Sequence, residues 1–163
     1  MKYSSPCAAL FLVALAGCHD FYLGQVNEMG SCGSEELRSD WKSIRSKVAN
    51  SSSAARLIRA IACAPESDRP VEHIGAHLDE QVTFVASSTG DEVEEVRVLP
   101  RALAKREVFA FLGSPEFRYG LGRREPGELE LIAQNEACME MFVLVHKANR
   151  QDWVVSRYES ACD

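Results

Sequence analysis

"CMEMFVLVHKANRQDWVVSRYESAC", residues 138–162, is the stretch that decides the fold. Two apolar runs, Met139 to Val145 and Trp153 to Tyr158, flank the polar segment Lys147-Ala148-Asn149-Arg150-Gln151. Aromatic and β-branched runs of that length on either side of turn-forming residues read as a β-hairpin. With the turn near Asn149 and Arg150, residues whose numbers add to 300 face each other. Cys138 and Cys162 meet that condition, as do Phe142 with Tyr158 and Val145 with Val155. A disulfide is therefore expected to close the open end of the hairpin.

The redox state this requires follows from the chain start. Lys2 is the only charge before the apolar and small residues from Cys7 to Gly17, a short positive region followed by a signal-type hydrophobic region. A membrane-spanning helix needs roughly 20 apolar residues, more than this run supplies. Leu15-Ala16-Gly17-Cys18 resembles the lipobox of bacterial lipoproteins, over residues 1 to 20. The resemblance implies removal of residues 1–17 as a signal peptide and attachment of diacylglycerol and palmitate-type chains to Cys18. More than one acyl chain gives firm anchoring, whereas a single chain binds only marginally. His19 follows the lipidated cysteine and Asp20 comes one later, so the implied address is the bacterial cell envelope, on the outer membrane facing the periplasm.

Cys7 falls in the discarded segment and Cys18 carries the lipid, which leaves Cys32, Cys63, Cys138 and Cys162. An even remainder in an exported chain reads as disulfides. The hairpin register selects 138–162, and Cys32 and Cys63 bracket a pair of helices, so 32–63 is the second expected bridge. There is no C-x-x-C pair of the kind zinc sites use.

The domain division that results is a signal peptide at 1–17, a lipidated tether at 18–31 and one globular domain at 32–163. Removing residues 1–17 takes away Lys2 and no acid, so the formal charge goes from −6 to −7. That balance argues against nucleic acid and against binding anionic lipid by charge. The membrane is a partner through the lipid alone.

Ser34 caps a first helix with apolar residues at Leu37, Trp41, Ile44 and Val48, and with Glu35 and Glu36 in its first turn. A second helix runs from Ser53 to Ala62, with Leu57, Ile58 and Ile61 facing the first in an antiparallel pair. A short helix is read from Val71 to Glu80. Val82–Ala86 and Val93–Leu99 read as strands around Thr89-Gly90-Asp91. Pro100 opens a further helix, which Gly113 and Pro115 close, with Leu103, Ala104, Val108, Phe111 and Leu112 on its apolar face. Phe117–Leu121 and Leu129–Ala133 read as strands around Pro126-Gly127. The expected class is α+β: an N-terminal helical hairpin and a further helix packed on a mostly antiparallel curved sheet, with two disulfides. This order of elements resembles the cone-shaped fold of the nuclear transport factor two family, and "DWVVSRYES", residues 152–159, is similar to that family's last strand. The resemblance implies a pocket between sheet and helices and no particular chemistry.

Candidate chemistry is sparse. His73, His77 and Glu80 would share one face of the short helix, a usable metal pair plus a carboxylate, but the order of H-E-x-x-H is absent. The reading adopted is a solvated helix face, with no metal and no cofactor. Ser39 and Lys42 match S-x-x-K without its companion motifs, and Trp41 between them reads as core. His146 reads as exposed beside the last turn. The stretch "SPEFRYGLGRRE", residues 114–125, interleaves Phe117 and Tyr119 with Arg118, Arg123 and Arg124, the residue types that dominate interfaces. It is the candidate partner site, with the acidic run Asp91-Glu92-Val93-Glu94-Glu95 as a second. The functional expectation is a non-catalytic protein-binding lipoprotein, an inhibitor or immunity protein acting on an incoming toxin or wall hydrolase, with another envelope or incoming protein as partner. The alternatives are a small-ligand-binding or enzymatic cone-fold domain and a structural component of an envelope assembly.

Overall fold

The computed structural model describes residues 34–64, 74–88, 91–111 and 117–162. The signal segment, Cys18, the tether, Cys32, His73, Thr89-Gly90 and the Gly113–Pro115 stop all lie outside the described residues, as do the side chains at 91–94 in the acidic run. Within them the order is α1 (Glu35–Ile44), a 3-10 turn (Arg45–Lys47), α2 (Ser51–Ala62), β1 (Leu78–Ser88), β2 (Asp91–Pro100) and α3 (Arg101–Phe111), then β3 (Arg118–Arg123), β4 (Glu128–Gln134), β5 (Cys138–Lys147) and β6 (Asp152–Cys162). The strands form one sheet in the order β2-β1-β6-β5-β4-β3. β1 runs parallel to β6, and every other neighbouring pair is antiparallel. The fold class is α+β, with helices on a mixed sheet.

Local chemistry explains most boundaries. Ser34 Oγ accepts the Leu37 N–H at 3.1 Å and so caps α1. Asn50, in the left-handed region at φ 44°, stands immediately before α2, which begins two residues earlier than its apolar pattern suggests. Gly127, at φ 86°, makes the β3–β4 turn. The helix expected at Val71–Glu80 is corrected: helical residues end at Gly75, and Leu78 to Glu80 belong to β1. Strand pairing wins there. Val155 N–H donates to His77 O at 2.8 Å, and Leu78 pairs with Val155.

Two further expectations change. α1 packs mainly on β3 and α2 on β6, rather than chiefly on each other as an antiparallel pair. In α3, Ala104 and Val108 are buried one turn apart, while Leu103 is 49 % exposed. A helix residue next to a core position is turned about 100° away from it, so Leu103 faces water.

All three helices cover the same face of the sheet. Leu37, Trp41, Leu57, Ile58, Ile61, Ala104 and Val108 share one buried cluster with Phe84, Leu121, Leu131, Phe142, Leu144, Trp153, Val155 and Tyr158. Burying a side chain of this size contributes about 1.5–3 kcal/mol. Trp153, 1 % exposed, also donates its indole N–H to Ala49 O at 2.6 Å, tying the last strand to the loop before α2.

Pairing in the hairpin follows the expected register for half its length. Cys138 faces Cys162, Glu140 faces Ser160, and Phe142 faces Tyr158. Beyond Val143 the register slips by one, so Leu144 pairs with Val155, and Val145 faces Val154, not Val155. Ser156 is the extra residue of a β-bulge, and its hydroxyl donates to Val143 O at 3.3 Å. The bulge has a clear cause. Trp153 and Tyr158 are five residues apart and would point to opposite faces of a regular strand. One inserted residue puts Trp153, Val155, Tyr158 and Ser160 on the helix-covered face and leaves Arg157 and Glu159 on the other.

Cys138 and Cys162 are bonded, with Sγ atoms 2.10 Å and Cα atoms 4.2 Å apart. Cys63 is also disulfide-bonded, and its partner lies outside the described residues. Since Cys138 and Cys162 hold each other, Cys63 pairs with neither.

Deleting Ser156 should restore strict alternation, drive half of β6 to the wrong face and abolish the cooperative urea transition. Ser156→Ala keeps the extra residue and should cost only about 1 kcal/mol, the worth of one hydrogen bond. A cooperatively folded deletion variant would refute the role given to the bulge.

Candidate functional site

The sheet register lines up residues across the covered face. One line runs Tyr119, Ala133, Glu140, Ser160, Ala86, with each neighbouring pair in register. The next runs Leu121, Leu131, Phe142, Tyr158, Phe84. The second line is apolar and aromatic, with the Tyr158 ring centroid 5.1 Å from Phe142 and 5.2 Å from Phe84. The first carries polar groups into the interior.

Glu140 is 2 % exposed. Its Oε2 accepts from the Tyr158 hydroxyl and its Oε1 from the Ser160 hydroxyl at 3.0 Å. Cys162 Sγ lies 3.8 Å from the same Oε1 and 3.8 Å from Ser160 Oγ. Burial pushes the Glu140 carboxyl above its usual range, and the hydrogen bonds from Tyr158 and Ser160 pull it partly back. The Tyr158 phenol is raised by burial first and then by Glu140, so it stays protonated. Cys138, Glu140 and Cys162 bring their ligand atoms within 4.8 Å of one another. With the two sulfurs bonded to each other, this is a carboxyl against a disulfide, not a thiolate metal set.

Two strands away, Tyr119 is 5 % exposed, and its buried hydroxyl has no hydrogen-bond partner among the described residues. Burial raises that phenol to about 12. Helix α1 fixes this strand from its edge: Leu121 N–H donates to Asp40 Oδ2 at 3.0 Å, and Ser34 Oγ lies 3.3 Å from Tyr119 O, to which it donates. The free edge of β3 is thereby capped.

At the hairpin turn a second polar group ties four segments. Ser53 Oγ donates to Asp152 Oδ1, Asn50 Nδ2 donates to Gln151 O, and His77 Nδ1 lies 3.7 Å from Asp152 Oδ2. Burial pushes Asp152 upward, yet bonds from Ser53 and the Trp153 N–H, with the charges of His77 and Arg56, hold it below its usual range.

The sequence candidates are placed as follows. Phe117 packs against the core and Tyr119 points into it, while Arg118, Arg123 and Arg124 are exposed, Arg124 lying 3.5 Å from Glu130. Alternation along β3 thus separates Arg118 from the aromatics, while Arg123 is exposed at the end of the strand and Arg124 lies beyond it. Arg118 borders a surface cleft of about 450 Å³ with Gln134, Asn135 and Glu136, and another with Ser34, Glu35, Glu36 and Ser39. His77 sits in a turn beside Asp152, and Glu80 pairs with Arg150, so the expected His–Glu helix face is not formed. Ser39 and Lys42 are exposed around buried Trp41. His146, expected to be exposed, is half-buried with its ring 5.5 Å from Trp153. Glu140 is the residue that the sequence pattern does not single out, although the hairpin register that pairs Cys138 with Cys162 also sets Glu140 against Ser160 on the same face.

The opposite face of the sheet carries no helix among the described residues. Val96 and Val98 on the outermost strand β2 are 58 % and 60 % exposed, and Met139 is 45 % exposed. Val85 pairs with Val96 and Thr83 with Val98, and on the next strand the Arg157–Glu159 ion pair separates these valines from Met141 and Val143.

No protein-family model matches the chain, and no curated protein matches it. Its structural neighbours are NTF2-like and DUF4783 proteins. A DUF4783 family protein from Bacteroides ovatus is 9 % identical, with 80 % of this chain and 98 % of that one covered and a TM-score of 0.45. An NTF2-like protein of unknown function from Shewanella baltica is 10 % identical, with 66 % and 90 % covered and a TM-score of 0.43. An NTF2-like protein from Bacteroides fragilis is 10 % identical, with 64 % and 46 % covered and a TM-score of 0.41. At these identities the likeness assigns no activity.

The pH dependence of stability isolates Glu140. Its folded-state carboxyl is raised, so the folded protein binds that proton more tightly than the unfolded chain. The resulting stabilisation is present below the unfolded value and is lost as pH rises through the folded one. Urea midpoints from pH 4 to 8 should fall with rising pH more steeply in the wild type than in Glu140→Gln. Parallel curves would show that burial of this carboxyl is not linked to folding.

Proposed function

We propose that this chain is a lipid-anchored lipoprotein of the bacterial cell envelope, facing the periplasm, whose domain binds another protein through a non-catalytic face. The lipobox-like Leu15-Ala16-Gly17-Cys18 supports the anchor, with Cys18 as the acylated residue. The sheet face that carries no helix among the described residues supports the binding role, and it is the observation that carries the reading. Val96, Val98 and Met139 lie in water on the side away from the helices, where a protein partner would bury them. Arg118, at the β3 end of the same face, adds a cation suited to the rim of such a contact. An inhibitor or immunity protein against an incoming toxin or a wall hydrolase is the type of binder that fits a tethered domain of this size.

A small-ligand pocket on the covered face is the second reading, favoured by the unpartnered Tyr119 hydroxyl. Under the protein-binding reading that hydroxyl serves nothing. Tyr119→Phe should then be neutral or stabilising by up to about 1 kcal/mol, and a loss of stability would favour an internal role.

Cys18→Ser should move the protein from the membrane to the soluble fraction, and unchanged membrane attachment would rule out the lipid anchor. The soluble form, residues 19–163, should capture a partner from envelope extract. Val96→Glu with Val98→Glu should lose it while leaving the unfolding free energy within about 0.5 kcal/mol, as surface changes do. Equal capture by the double variant would sink the outer-face assignment.

A further inference from the structure

We propose that the Cys138–Cys162 disulfide is a thiol–disulfide exchange site, with Glu140 as the acid and base that serves Cys162. The class of substrate is a dithiol.

The geometry separates access from proton transfer. The disulfide closes the outer end of the last hairpin, and both cysteines are half-buried, so an external thiolate can reach sulfur there. The carboxyl behind it is 2 % exposed and touches one sulfur, Cys162 Sγ, at 3.8 Å. Ser160 closes a triangle, its hydroxyl 3.0 Å from Glu140 Oε1 and 3.8 Å from Cys162 Sγ. A proton can therefore move between Glu140 and Cys162 directly or through the Ser160 hydroxyl. This asymmetry assigns the two sulfurs. Cys138 is the one attacked, and Cys162 is the one that leaves and later returns.

The fold alone does not call for a carboxyl at this place. Position 140 lies on the covered face between Ala133 and Ser160, where a neutral side chain would avoid the cost of burying an ionisable group. Of the groups facing it, Tyr158 keeps its proton, Ser160 is neutral and Glu107 acts on Tyr158 by charge alone, which leaves Glu140, raised by burial, as the member of this cluster placed to exchange a proton with Cys162. Perturbed carboxyls cluster where a group has a proton to give or take.

The reaction balances without a further reagent. A substrate thiolate attacks Cys138 Sγ, and the Cys138–Cys162 bond breaks. The electron pair goes to Cys162 Sγ, which takes the proton of Glu140 to become a thiol, leaving Glu140 ionised. The second substrate thiol, once deprotonated, attacks its own sulfur in the mixed disulfide and releases the Cys138 thiolate, which is protonated by solvent. The substrate dithiol is oxidised to a disulfide and the protein disulfide is reduced by the same two electrons. In the reverse direction the Glu140 carboxylate takes the Cys162 proton, and the thiolate so formed attacks the mixed disulfide on Cys138.

The test uses oxidised full-length protein, dithiothreitol as the dithiol, and alkylation with peptide mapping to follow the 138–162 bridge apart from the one at Cys63. Glu140→Gln should slow reduction of 138–162 by about a hundredfold at the acidic end of the pH range, where Glu140 keeps its proton, the lower end of what a positioned acid supplies. The difference should shrink as pH rises and Glu140 loses its proton. Equal rates with parallel pH profiles would overturn the proposal. A second measurement needs no substitution. Brief exposure of the wild type to reduced glutathione should place the mixed disulfide on Cys138. Glutathione found on Cys162 would overturn the assignment even if Glu140→Gln failed to fold.

Discussion

The pairing of β5 with β6 is the constraint on which the rest of this structure depends. These strands lie in the middle of the sheet, with β4 and β3 built outward from one and β1 and β2 from the other. Their covered face presents Phe142, Leu144, Trp153, Val155 and Tyr158 to the helices, and the register between them decides which side chains those are. A slip of one residue would turn the whole set toward water. The Ser156 bulge places that slip once, between Val143 and Leu144, so that two differently phased halves of β6 contribute to one core. The disulfide fixes the outer end, and the Trp153 indole bond to Ala49 fixes the turn end.

From that centre the polar groups divide by role. The Asp152 cluster at the turn ties His77, Ser53 and Trp153 together around a carboxylate held low by its partners. The Glu140 cluster at the other end holds a carboxyl pushed high by burial, beside a disulfide. The two carboxyls sit at opposite ends of one hairpin, and their environments shift them in opposite directions. Structural fastening suits the first, whose charge is satisfied. Proton exchange suits the second.

Much of this was legible in the sequence, and the misses have physical causes. The hairpin, the 138–162 bridge, the Ser34 cap and the succession of helices and strands follow from local periodicity and turn chemistry. The bulge does not announce itself in composition. It becomes visible only when Trp153 and Tyr158, both too large to leave outside, are asked to share a face. The Val71–Glu80 segment has a helical pattern in isolation, and its end becomes strand because β6 supplies a partner that the local sequence does not contain. The aromatic–arginine stretch at 114–125 reads as one patch along the chain, yet strand alternation sends Tyr119 inward and Arg118 outward. Glu140 hid inside an apolar run, where its register mate Ser160 was the available clue.

Native-state hydrogen exchange tests the central claim most directly, because protection reports where the sheet opens last. The amides of Phe142, Leu144, Val155 and Tyr158 should be the slowest in the protein and should exchange only through global unfolding, well after those of β2. Exchange of these four amides at the rates of the edge-strand amides would contradict the account, since the last hairpin would then not be the element that holds the sheet.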